Sequence, residues 1–287
     1  DVAGDVIWVS QVHAESTAGA ITFNWAGTKA SPIRILCGND AAEPPTALAT
    51  TATVSTTGVN STINLDVAND AIYVYGITFN AGDATTASEI RLNSGTLGQV
   101  YESCNFHLRT DSGGRRIFPI SGGGLTLFLN CGFQFSNTLQ MIRPTGSGRF
   151  EIRGGSILAD TAITTLLELD AVQGFNILIE GFDLSNAAAA MNFTANTTPG
   201  HKLVVRNCKL PASWTGSINS STPGSGSTFE LYNCDSADTN YRLEKKTEFG
   251  TVTHETTVVK TGGASDGTTT LSWKMVSNAD AEWNHQT

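Results

Sequence analysis

Between residues 70 and 240 the chain repeats one pattern. A short run of alternating apolar and polar residues ends at a glycine, asparagine or serine and is followed by a second, shorter apolar pair. Seven such segments share a register whose reference column is Ile77, Cys104, Cys131, Gly155, Phe182, Cys208 and Cys234, at steps of 27, 27, 24, 27, 26 and 26 residues. Three residues earlier stand Val74, Tyr101, Phe128, Ile152, Ile179, Val205 and Leu231, all apolar or aromatic. Two residues later stand Phe79, Phe106, Phe133, Ile157, Leu184, Leu210 and Ser236.

One residue before the reference column stand Gly76, Ser103, Asn130, Gly154, Gly181, Asn207 and Asn233. Glycine and asparagine enter the left-handed backbone region most cheaply, so each unit reads as strand, sharp corner, strand. Strand side chains alternate faces, and these offsets turn every apolar column inward. Variable stretches such as "RTDSGGRR" and "NSSTPGSGS" close each unit. Helical periodicity is absent; "NAAAAMNF" at 186–193 offers at most one short turn.

A single unit of this size cannot bury its own apolar face, whereas a stack can. The expected fold is all-β, a single-stranded parallel β-helix of three-sided coils stacked ~4.8 Å apart. Right-handed winding is expected from the preference of parallel crossovers. Residues 31–240 would supply about eight coils, with "SPIRILCGND" at 31–40 as the first strand. Residues 1–30, with Trp8, Phe23 and Trp25, lie outside the register and read as an N-terminal cap. Residues 241–287 read as antiparallel strands around the turn-rich "KTGGASDG", with the natural chain expected to continue past Thr287.

In this frame the cysteines lose their apparent reactivity. Four of the five, Cys104, Cys131, Cys208 and Cys234, fall on an inward column that also holds Ile, Gly and Phe, where a free thiol acts as a small buried hydrophobe. Neither CxxC spacing nor a histidine partner marks a metal site, and no disulfide framework is expected. The column two residues before the cysteines faces outward and stacks Arg153, Glu180 and Arg206 as plus, minus, plus.

Composition narrows the function classes. Charged residues make up only 15% of the chain, with glycine and small polar residues in their place, as suits a β-rich protein. A net charge of −9 argues against a nucleic-acid partner, and no apolar run is long enough to span a membrane. The start "DVAGDVIWVS" lacks a signal peptide's pattern, and an Asp in first position fits a trimmed chain.

Carboxylate pairs suited to glycoside hydrolysis would be Glu151 with Glu180 or Asp183, Asp111 with Glu102, or Glu230 with Asp235 or Asp238. None forms a compact signature, so no catalytic residue, cofactor or metal is expected. Arg115, Arg116, Arg143 and Arg149, with Arg153, fall on neighbouring coils and are candidates to contact a partner protein or a surface glycan. The five histidines are scattered, and no Ser-His-Asp set is read from their spacing.

The coils resemble right-handed parallel β-helix proteins of the pectin-lyase-like class. Asn130, Asn207 and Asn233 look like their corner asparagine ladder. The opening "GDVIWVSQVHAES" and the exit "HETTVVKTGGASDGTTTLSWKM" are similar to β-helical virion proteins of tailed bacteriophages. The resemblance implies a non-enzymatic virion part, a capsid decoration or a tail or fibre component, acting as a homotrimer bound to other virion proteins. The alternative is a tailspike-like glycan-binding or depolymerising protein, with a groove lined by Tyr75, Tyr101 and Tyr232.

Overall fold

The computed structural model describes residues 2–67, 71–84, 87–94, 98–169, 174–195, 200–216, 227–236, 241–248, 254–262 and 269–270. They form strands and turns without a helix; residues 186–193 supply only turns and the start of a strand. The strands stack in parallel as a β-solenoid of about seven turns.

Each turn has three sides. The first face begins with Val6–Ser10, Ile33–Gly38, Ala71–Tyr75 and Gly98–Glu102. It continues through the long strands Arg116–Phe135 and Thr145–Ile157 to Phe175–Glu180, Lys202–Arg206 and Thr228–Ser236. The second face carries Ala14–Thr17, Ala52–Thr56, Ile77–Ala81 and Asn105–Leu108, then the ends of the two long strands. The third face runs from Ile21–Asn24 through Ile63–Val67 and Ile90–Ser94 to Thr165–Leu169 and Asn192–Ala195.

The corner between the first two faces explains the repeat. Gly76, Ser103, Asn130, Gly154, Gly181, Asn207 and Asn233 all have positive φ, between 47° and 75°. A left-handed residue reverses the chain in one step, and the Asn233 amide nitrogen donates to Asn207 Oδ1 at 2.7 Å. Gly155, in the reference column, also has positive φ (88°), and a Cβ there would lie 2.0 Å from the Cys131 carbonyl oxygen. That column therefore admits Ile, Cys and Phe at other coils but only glycine here, at the end of the single 24-residue step.

The inward columns meet in one core. Tyr101 stacks on Phe128, and Phe106 stacks between Phe79 and Phe133 at 5.5 and 5.6 Å. Edge contacts of Phe106 with Tyr101 and Phe128 join the two stacks. All five cysteines are free and buried. Burial pushes the Cys104 thiol up to about 12 and the Cys131 thiol well above its ordinary value, whereas a hydrogen bond with Cys234 holds the Cys208 thiol below it.

The N-terminal segment differs from the expectation. Residues 6–24 form a coil in register, with Ile7 opposite Ile35, Glu15 opposite Val54 and Phe23 opposite Leu65. The register thus extends into the segment expected to lie outside it, and Glu15, in a column filled by Val54 and Phe79 in the following coils, masks that register in the sequence. An ionisable side chain there breaks the hydrophobic alternation at an exposed edge. Of the C-terminal segment, Tyr241–Glu248, His254–Gly262 and Thr269–Thr270 are strands, and residues 271–287 lie outside the described residues.

Candidate functional site

Parallel register lines up the outward side chains of the first face in columns. One column holds Tyr73, Val100, Leu127, Glu151, Leu178 and Val204; its flanks hold Leu125, Arg149, Asn176 and Lys202 on one side, and Leu129, Arg153, Glu180 and Arg206 on the other. The aliphatic members are half-buried although they point away from the core. A groove of about 520 Å³ opens over the last three of these coils, with Leu178 and Val204 in its floor and Arg149, Lys202, Arg153 and Arg206 around it.

The charges there form a network. Glu151 is only 2% exposed and sits between Arg149, which it contacts closely, and Arg153 Nε at 2.7 Å. Glu180 pairs with Arg206 Nε at 2.8 Å and faces Arg153 at 3.8 Å. The plus-minus-plus stack of Arg153, Glu180 and Arg206 is thus present. Three guanidinium groups share two carboxylates, and Lys202 stands exposed with no ion-pair partner among the described residues.

The arginines singled out from sequence separate onto different faces. Arg116 and Arg143 lie on the third face and converge on Glu168 at 3.6 and 3.7 Å. Arg115 faces Glu89 at 3.8 Å, and Arg149 lies on the first face. They do not form a single patch, because residues 115, 116 and 143 precede the turn from the third face to the first.

The carboxylate pairs fare similarly. Glu151 and Glu180 do lie on adjacent coils, joined through Arg153. Asp183 is on the second face; burial raises its pKa, but hydrogen bonds from Ser185 and Lys209 outweigh that and hold the carboxyl below its usual range. Glu102 accepts from the Tyr73 hydroxyl at 2.7 Å on the first face, whereas Asp111 follows the second-face strand Asn105–Leu108. Glu230 accepts from Tyr232 at 2.9 Å, the Asp235 side chain is undescribed, and Asp238 lies outside the described residues. Of the aromatics, Tyr75 and Tyr232 face outward, but Tyr101 is fully buried with its hydroxyl donating to Gln99 at 2.7 Å.

One constellation escapes inspection of local spacing. His107, Ser136 and Asp160, from three successive coils, meet outside the second face. Ser136 Oγ donates to Asp160 Oδ2 at 3.0 Å, and His107 Nε2 lies 3.4 Å from both. Burial lowers the His107 pKa, opposed by Asp160. A nucleophilic triad needs serine on one ring nitrogen and carboxylate on the other. Here both partners face Nε2, so the set ties coils together and does not activate the serine. The signal for it was the repeat itself, since steps of 29 and 24 residues are each about one coil.

Comparison with protein-family models, with curated proteins and with solved structures finds no match to the chain.

Proposed function

We propose that this chain is a non-enzymatic structural protein of a tailed-bacteriophage particle, a pectin-lyase-like β-helix serving as a capsid decoration or as a tail or fibre component. The observation that carries the reading is the outward side of the first face. Parallel sheets are normally covered on both sides. In this solenoid the second side carries half-buried Tyr73, Val100, Leu125, Leu127, Leu129, Leu178 and Val204, aligned in adjacent columns. Aliphatic columns on a rigid wall suit docking onto neighbouring proteins. Homotrimeric association and contact with other virion proteins belong to the same reading.

Protein analysis of purified particles from the phage encoding the chain tests it. A fixed stoichiometric amount of the chain in the particles is expected, and its absence from them overturns the reading. A second reading, a tailspike-like glycan-binding or depolymerising protein, draws on the cations of the groove. It requires that the purified chain bind or shorten a capsular or lipopolysaccharide preparation.

A further inference from the structure

We infer that the groove on the first face receives an amphipathic helix of a partner protein, one whose apolar stripe is bordered on both sides by acidic residues. The inference rests on the docking reading above and names the chemistry of its partner. Three features argue for this occupant.

The first is width. The backbone positions of the two cationic flanks, Arg149 with Lys202 and Arg153 with Arg206, lie four residues apart along the strands, or ~13 Å at ~3.3 Å per residue. Arg149 and Arg153 turn in to Glu151, so that the opening lies over Leu178 and Val204. A helix with its side chains measures ~10–12 Å across and fits between the flanks. The second is the floor. Leu178 and Val204 continue the outward column of Leu127 and Val100, so an apolar stripe runs along the solenoid axis, interrupted only at Glu151. An amphipathic helix lying along that axis presents a matching stripe.

The third is charge. Three guanidinium groups and Lys202 face two carboxylates, leaving two positive charges in excess in a chain whose net charge is −9. Beyond the groove, Glu230 follows Val204 in the floor column and lowers the potential at that end. Cationic rims on both sides of an aliphatic floor select acidic flanks on both sides of an apolar stripe. Among the described residues no aromatic ring lines the groove, so the stacking surface that favours sugar rings is missing, and a protein segment fits better than a glycan.

The test uses the purified chain and a fluorophore-labelled peptide of about three helical turns, with leucines on one stripe and glutamates along both edges. A scrambled peptide of the same composition and polygalacturonate serve as comparisons. Fluorescence anisotropy at low ionic strength should show the amphipathic peptide binding roughly tenfold or more tightly than the scrambled one. Lys202→Glu should weaken binding roughly tenfold, with unchanged thermal unfolding because Lys202 makes no ion pair among the described residues. Glu180→Gln, which frees Arg206 and leaves Arg153 held by Glu151, should tighten it, an effect that a merely structural carboxylate would not produce.

Equal binding of the scrambled peptide, indifference to Lys202→Glu, or binding of polygalacturonate in place of the peptide would each overturn the inference. The measurement needs no particle, so its failure is separable from absence of the chain in virions.

Discussion

At the scale of single residues, the corners set the coil. Asn130 has φ 51° and Gly154 has φ 69° at the same corner of neighbouring coils, followed by the second left-handed residue Gly155. Gly155→Ala places a methyl against the Cys131 backbone in a conformation that already costs an L-residue ~1–2 kcal/mol. A loss of more than about 2 kcal/mol in urea unfolding is expected, and a neutral substitution would show that the corner relaxes freely.

The buried Cys104 thiol sets a limit in pH. The Cys104 pKa is raised by burial from its ordinary value of 9.0 to about 12 in the folded chain. The unfolded chain therefore ionises first. The thiol's contribution to stability is full below pH 9 and is lost as pH rises from 9 to about 12. The loss is about 1.4 kcal/mol per pH unit for the thiol. Chemical unfolding of the native chain and of Cys104→Ala across that range should show a steeper alkaline decline for the native chain.

At the scale of strands and stacks, Phe106 helps join two aromatic ladders, touching Phe79, Tyr101, Phe128 and Phe133, alongside the edge contact of Phe128 with Phe133. Phe106→Ala should cost ~3–5 kcal/mol and Phe106→Leu clearly less, as measured by denaturant midpoint. Equal costs for the two would mean that ring packing does not unify the stacks.

The ladders were legible in sequence because each inward column recurs once per coil with apolar side chains. The first coil was not, since Glu15 occupies a position filled by Val54 and Phe79 in the next coils. The groove was legible only along one edge. Arg153, Glu180 and Arg206 share an outward column with a visible charge alternation, whereas Arg149, Glu151 and Lys202 join them only through strand register. The same limit hid His107, Ser136 and Asp160, whose meeting depends on where each loop leaves the second face.

At the scale of the whole molecule, a stacked solenoid presents long flat-sided walls of aligned columns. What distinguishes this wall is the asymmetry between its faces. The first face turns aliphatic and cationic residues outward, while the second turns out Thr78, Asn105, Ser156, Asp183 and Lys209. The docking proposed above would use that difference. A homotrimer, if formed through the same wall, should sediment at three times the monomer mass and dissociate when Leu127 and Leu129 are replaced by lysine; a monomer at all concentrations would remove trimerisation from the account.

The most direct test of the central claim is a density map of the native phage particle at a resolution that traces strands. The account predicts the solenoid at defined, repeated positions, with Val100, Leu127 and Leu178 covered by a neighbouring protein. A particle lacking the chain, or one in which that face meets only solvent, would contradict it.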